Sequence, residues 1–169
     1  MSVKVVYVTG CLGLIGSYVT RACLKRGWYV RGVDKITYAA NTHLLEEFNN
    51  YDNFTFEQTD INNIERLYNC DYIINTAAET HVDNSILSSR VFLDSNINGV
   101  HHLLELIKDA KHKPTLLHFS TDEVYGDLVE GFHTETDLLK PSNPYSATKA
   151  AADQLIIAWA RTFAVPYVI

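Results

Sequence analysis

Apolar and polar positions come in blocks along this chain, and their period switches repeatedly between strand-like and helix-like. Val3 to Val8 is a β-rich apolar run, as expected of a strand buried on both faces. Leu14 to Arg26 sets Ile15, Tyr18, Val19, Ala22 and Cys23 at helical spacing, and Gly27 stops it. Trp28 to Val33 reads as a second strand. Asn41 is placed to cap a helix running to about Asn49. Phe54 to Phe56 is a short strand, Ile61 to Tyr68 a short helix and Tyr72 to Ile74 a fourth strand. A long helical stretch follows from about Ser89 to Ala110, with Gly99 inside it. Pro114 precedes the strand Leu116 to Phe119. A loop spans Asp122 to about Ser142, and Pro144 suits the first position of a helix reaching Phe163. Val168 and Ile169 begin another strand.

Strands alternating with helices at this spacing predict right-handed βαβ units and a doubly wound parallel sheet of the α/β class. The pattern shows no repeat, linker or low-complexity segment. In such sheets ligands bind beyond the carboxyl ends of the strands, and each motif below falls at such an end.

Composition narrows the picture. With 169 residues, one domain, spanning 1–169, is the natural expectation. Apolar residues at 47% and charged residues at 20% suit a soluble protein with a real core. A net charge of -6 argues against nucleic acid and anionic membrane surfaces as partners. The apolar stretch LIIAWA lies between Asp153 and Arg161 and is too short to span a bilayer. The start MSVKVVYVTG lacks the long apolar region of a secretion signal. Cys11, Cys23 and Cys70 form no CxxC pair, so neither a disulfide framework nor a zinc site is expected, and free thiols suit the cytoplasm. His101 and His102, adjacent on a helix, point apart, and no metal is expected.

The first strand runs into Thr9-Gly10-Cys11-Leu12-Gly13-Leu14-Ile15-Gly16. Gly10 permits a tight turn, Gly13 lets a pyrophosphate reach the backbone, and Gly16 lets the helix pack on the strand. Leu14, Ile15 and Gly16 open that helix, where free N–H groups favour phosphate. A glycine triplet alone is a weak signal, but its place between a strand and a helix makes it a dinucleotide site. Asp34 ends the second strand where an acid would hold the adenosine ribose, and its charge favours NAD over NADP. Neighbouring Lys35 and Arg31 weaken that preference. Asp60 and Ile61 end the third strand, where adenine would lie. Asp60 reads equally well as a helix cap. Small Ala77 and Ala78 after the fourth strand would let a dinucleotide lie close to the backbone.

The fifth strand ends in Ser120-Thr121-Asp122-Glu123, and Tyr145 and Lys149 follow, one helical turn apart on one face. An ammonium beside a phenol favours phenolate, giving a base for a sugar hydroxyl. Two adjacent carboxyls in different environments can hold different protonation states. On the residues alone, Asp122 and Glu123 are equally a pair of solvated loop acids.

The segments TGCLGLIG, VDKITYAAN, NTAAETHVDNSI, STDEVYGD and NPYSATKAAAD resemble the extended short-chain dehydrogenase/reductase family across the whole chain. Within it they are most similar to the nucleotide-sugar 4,6-dehydratases. The resemblance implies an NAD-binding Rossmann fold and a lyase that converts a nucleoside-diphosphate glucose, dTDP-glucose, into its 4-keto-6-deoxy form. It makes Asp122 the acid, Glu123 the base, Tyr145 the acceptor of the C4 hydroxyl proton and Lys149 its tuning partner. Thr121 and Thr80 would touch the sugar nucleotide, and Lys35, Thr37 and Ser95 the cofactor. His81 reads as structural. A homodimer is implied through residues 89–110 and 144–163, with Trp159 and Phe163 as contacts unless they belong to the intramolecular core.

Two departures stand out. Cys11 replaces a usual glycine and Leu14 a usual phenylalanine, and Cys11 would then lie near the pyrophosphate. The resembled chains also continue well past Ile169 into a substrate domain, so this chain reads as a truncated fragment or as half of a split protein. Alternatives are a sugar-nucleotide 4-epimerase or decarboxylase, against which the acid pair argues, and a non-catalytic NAD-binding fragment.

Overall fold

A computed structural model describes residues 3–169. Strands β1 (Val5–Thr9), β2 (Tyr29–Asp34), β3 (Phe54–Gln58), β4 (Tyr72–Asn75), β5 (Thr115–His118) and β6 (Tyr167–Val168) pair in parallel in one sheet. Their order is β3-β2-β1-β4-β5-β6. This is the doubly wound α/β sheet that the sequence pattern predicts. The chain winds from β1 to one edge, crosses back, and winds from β4 to the other, leaving a switch point between β1 and β4.

Period-two alternation puts a core on each face of the sheet. Val6 and Val8 of β1 join Cys23 and Leu24 of α1 (Leu14–Lys25) and Phe48 of α2 (Leu44–Phe48). Tyr7, between those valines, points the other way, toward α5 (Gly99–Asp109) and α6 (Pro144–Phe163). On α5, Val100, Leu103, Leu104 and Ile107 are at most 1% exposed, which is the i, i+3, i+4, i+7 stripe of a core-facing helix. Each contributes roughly 1.5–3 kcal/mol by leaving water, so packing more than propensity fixes α5.

Four local expectations are corrected. Only Ile61–Asn63 of the expected helix 61–68 is helical, as one 3-10 turn. Asn62 bonds Asp60 and the Asp94 carbonyl, and the Tyr68 N–H donates to the Tyr7 hydroxyl, so the backbone is drawn out of a helix. The second expected helix starts at Leu44, because Asn41 Oδ1 accepts from His43 N and closes a turn first. A helix α3 (Val82–Leu87) lies where none is expected. Its leading residue, His81, has φ 75° and no capping side-chain bond, so the usual start signal is missing. The stretch from residue 90 is helical throughout, but α4 (Arg90–Phe92) passes into α5 through a π-helical segment, Leu93–Asn98.

Candidate active site

The turn after β1 is built by contacts that only glycine permits. Gly10 has φ 70°, and a Cβ on it would meet Ala77 N at 2.8 Å. A Cβ on Gly16 would lie 2.0 Å from the Gly10 carbonyl oxygen. The turn therefore presses against both the loop after β4 and its own helix. Gly13 leads α1 without a capping side chain, which leaves first-turn N–H groups for an anion.

A cleft of about 580 Å³, counting its open mouth, lies at this switch point. Gly10, Gly13, Asp34, Lys35, Thr37, Asp60, Ile61, Ala77, Ala78 and Ser95, all expected to bind cofactor, line it. Asp34 is 9% exposed, and its carboxylate accepts from Leu12 N at 3.0 Å and Ile36 N at 2.8 Å. It thus clamps the glycine turn to the end of β2 while facing the cleft. Arg31 does not line the cleft. Its guanidinium sits over the Tyr68 ring, 4.5 Å from the centroid, which removes it from the cofactor choice.

Lys35 spans the cleft. Its ammonium donates to Ser95 Oγ at 3.0 Å and lies 3.4 Å from Asp60 and 3.6 Å from Glu79. Asp60 holds both expected roles, because it lines the cleft and accepts from Asn62 N at 2.9 Å as a cap. Burial pushes its carboxyl up, but the Asn62 bonds and Lys35 outweigh that and hold it below the usual range.

The catalytic candidates stand outside the cleft, at the end of β5 and the start of α6. Thr121 caps a 3-10 turn, Asp122–Tyr125, by accepting from Glu123 N. Asp122 is exposed, whereas Glu123 Oε2 accepts from Asn143 Nδ2 at 3.1 Å. The two acids therefore occupy different environments. Asn143 also caps α6, accepting from Ser146 N at 2.8 Å while Ser146 Oγ accepts from Asn143 N. Tyr145 follows, its N–H donating to Ser85 Oγ at 3.1 Å and its ring edge-on to Phe92. Lys149 lies one turn later and is 3% exposed. Its ammonium donates to the Phe119 carbonyl at 2.5 Å, so its direct bond runs to the end of β5. Burial pulls its pKa from 10.5 to about 8, against the opposing pull of Asp153.

Asn96, in the π-helical segment, ties the two halves together. It bonds the Glu79 N–H at 2.8 Å, the Glu79 carbonyl at 3.0 Å and the Thr148 hydroxyl at 2.9 Å. The π turn aims this buried amide inward. Sequence periodicity misses it because a single helical period over 89–110 gives no sign of the widened turn. Glu79, His118 and Asp153 are likewise absent from the sequence expectation. Only their positions at a strand end and one turn beyond Lys149 could have flagged them.

The remaining expectations divide. Leu14 and Ile15 open α1 with side chains 78% and 52% exposed, and with Gly16 they stand outside the cleft lining. Thr80 is exposed beside His81, whose positive φ is a strained conformation next to the site. His102 bonds the Ile64 carbonyl while His101 packs edge-on to Trp159, so the two do point apart. Among the described residues no three metal-ligating side chains cluster, and no helix is long and apolar enough to cross a membrane. Cys11 is a correction. It is 0% exposed, packed at Gly32 within the core, and burial raises its thiol far above the ordinary value.

Comparison with known proteins places this geometry in context. Residues 7–169 match the family model described as GDP-mannose 4,6 dehydratase. The chain is 41% identical to a dTDP-glucose 4,6-dehydratase of Haemophilus influenzae over 97% of its own length and 54% of that relative's. Among solved structures it is similar to a dTDP-glucose 4,6-dehydratase from Streptomyces venezuelae with NAD bound. That match has a TM-score of 0.90 at 35% identity and covers 96% of this chain and 53% of the other. A UDP-glucuronic acid 4-epimerase from Bacillus cereus, in complex with UDP-glucuronic acid and NAD, matches with a TM-score of 0.90 at 29% identity, covering 98% of this chain and 55% of the other. The chain spans about half the length of the curated relatives it matches.

Proposed function

The chain belongs to the GDP-mannose 4,6 dehydratase family, and from that membership we propose that it binds NAD and contributes the catalytic half of a dTDP-glucose 4,6-dehydratase site. The observation that carries the reading is the join of Glu123 to Asn143. It sets an acid pair at the end of β5 against the helix bearing Tyr145 and Lys149.

The residues fit a dinucleotide. Gly10 and Gly16 let the turn close tightly on the loop after β4 and on its own helix, and the opening turn of α1 offers amides to a pyrophosphate. Asp34 faces the cleft with a carboxylate that accepts a ribose hydroxyl and repels a 2′-phosphate, which favours NAD. Ala77 and Ala78 keep one wall low, and Lys35, Thr37, Asp60, Ile61 and Ser95 close the adenosine end.

When bound, NAD supplies a hydride acceptor for the sugar C4 that is restored within the turnover. The chain's own residues manage the protons. Tyr145 takes the C4 hydroxyl proton, with Lys149 supplying positive charge one turn away. Thr121 and Thr80 hold the sugar nucleotide by their hydroxyls. Glu123, oriented by Asn143, takes the C5 proton. Exposed Asp122 donates a proton to the hydroxyl that leaves C6 as water. A homodimer through residues 89–110 and 144–163 belongs to the same proposal. Phe163, 37% exposed at the end of α6, is the better contact, because Trp159 is engaged internally with Glu105.

Mass spectrometry of dTDP-glucose incubated with the chain and NAD⁺ tests the reading. Loss of one water without accumulated NADH is the expected result. The likeness to the Bacillus cereus epimerase favours a second reading, in which the mass stays constant while a sugar centre inverts. Substrate left wholly unchanged would overturn both activities for this length of chain and leave an NAD-binding unit.

A further inference from the structure

Beneath the site, Lys149 is surrounded by groups that the proton-handling scheme above does not use. Its ammonium lies 3.2 Å from His118 Nε2. One turn along α6 sits Asp153, 5% exposed. Asp153 Oδ2 accepts from the Ser120 hydroxyl at 2.6 Å. Asp153 Oδ1 is buried without a hydrogen-bond partner among the described residues, and it lies 3.8 Å from the same His118 Nε2. On the far side of the ring, His118 Nδ1 is 3.0 Å from Asn75 Nδ2, and Asn75 Oδ1 accepts from the Thr9 hydroxyl at 2.5 Å. A buried polar line therefore runs from the ends of β1, β4 and β5 into α6.

His118 is neutral, because burial and the charge of Lys149 both disfavour the imidazolium. Its Nε2 faces both the Lys149 ammonium and the orphaned Asp153 Oδ1. An ammonium buried this deeply needs a counter-charge, because desolvation costs several kcal/mol per ion. The ionisable groups around Lys149 are Tyr145 and Asp153 on its own helix and His118 on β5, and Asp153 is the one carboxylate among them; burial pushes its pKa up, while the Ser120 bond and the Lys149 charge favour its ionised form.

We propose that Asp153, oriented by Ser120 and sharing His118 Nε2 with Lys149, is a positioning residue that keeps Lys149 protonated one turn from Tyr145. It acts through Lys149 and does not touch substrate or cofactor. The arrangement separates two jobs. The direct hydrogen bond to Phe119 fixes where the ammonium sits, and the carboxylate that shares His118 Nε2 fixes its charge. The proposal rests on reading Lys149 and Tyr145 as the proton-handling pair.

The test is the titration of Lys149 itself, followed by the Cε resonance of ¹³C-lysine-labelled full chain and assigned by its loss in Lys149→Arg. In Asp153→Asn the midpoint should fall by about one pH unit, a tenfold change in ionisation constant, and Asp153→Glu should restore most of it. Ser120→Ala, which leaves the charge but frees its orientation, should give a smaller fall. It serves as the deciding variant if Asp153→Asn does not fold. A Lys149 midpoint unmoved in whichever variant folds overturns the proposal, whatever that variant does to stability. The readout needs no sugar nucleotide. A chain without dehydratase activity can still show the shift, and an active dehydratase with an unmoved Lys149 sinks this proposal alone.

Discussion

Asn143 Nδ2 donates to Glu123 Oε2 at 3.1 Å while Asn143 Oδ1 accepts from Ser146 N at 2.8 Å, so one side chain both starts α6 and orients an acid on the preceding loop. Two substitutions separate those roles. Asn143→Ala should cost about 1 kcal/mol as a lost cap and also loosen Glu123. Asn143→Asp keeps an equally good cap but sets a like charge beside Glu123, so thermal stability should stay near that of the parent while water loss from dTDP-glucose falls at least tenfold. Equal activity in Asn143→Asp and the parent would dissociate Asn143 from the chemistry. Glu123→Gln should stop water loss with NAD affinity nearly unchanged.

The sheet and the glycine turn were legible because they rest on local rules. Runs of β-branched residues, glycine between strand and helix, and Pro144 at a helix start each carry their own physics. The first helix and α6 emerge within a residue of their expected ends. What escaped is non-local. The extended path of 64–68 is set by a bond from Tyr68 to Tyr7, 61 residues away. α3 starts at a residue with positive φ and no cap. The inward aim of Asn96 depends on a π turn, and the His118–Asp153 relationship exists only once β5 and α6 are packed together.

Gly16 is expected to be the least replaceable residue of the turn. In Gly16→Ala the new Cβ would meet the Gly10 carbonyl oxygen at 2.0 Å, and neither backbone can move without opening the β1–α1 junction. A loss of about 3 kcal/mol or more is expected, at the upper end of overpacking costs. Chemical denaturation of the variant, together with an NAD titration, checks it. A variant as stable as the parent would show that the turn is softer than its geometry implies.

Asp34 should carry both affinity and stability. Removing its carboxylate in Asp34→Ala leaves Leu12 N and Ile36 N without acceptors in a buried setting, at roughly 1–3 kcal/mol for each. The same change removes the charge that opposes a 2′-phosphate. Calorimetric titration should show NAD binding weakened more than NADP binding, so that the preference for NAD shrinks. An unchanged preference would move the choice of cofactor to another residue, with Lys35 next to be tested.

The cysteines should be silent. All three are buried, and burial raises the thiol of Cys11 far above its ordinary value and that of Cys70 to about 12. Iodoacetamide at pH 8 should label the native chain negligibly by intact mass and add three groups after denaturation. Rapid native labelling at Cys11 with loss of NAD binding would place that thiol at the cofactor after all.

Lys149 should give the proposed activity an alkaline limit and the fold an opposite pH trend. With a pKa of about 8 in the folded chain, its ammonium is lost as pH rises through 8, so NAD-dependent turnover should decline above that value. Stability moves the other way. The folded value lies below the ordinary 10.5, so between about 8 and 10.5 the unfolded chain binds the extra proton and raising the pH favours folding. The full contribution is about 3 kcal/mol at 1.36 kcal/mol per unit. Because Cys70 releases its proton more readily when unfolded, it works against folding over part of the same range, and the comparison must be with Lys149→Met. The difference in unfolding free energy between parent and variant should shift in the parent's favour from pH 8 to pH 10. A constant difference across that range would mean that Lys149 titrates in the folded chain as it does in the unfolded one.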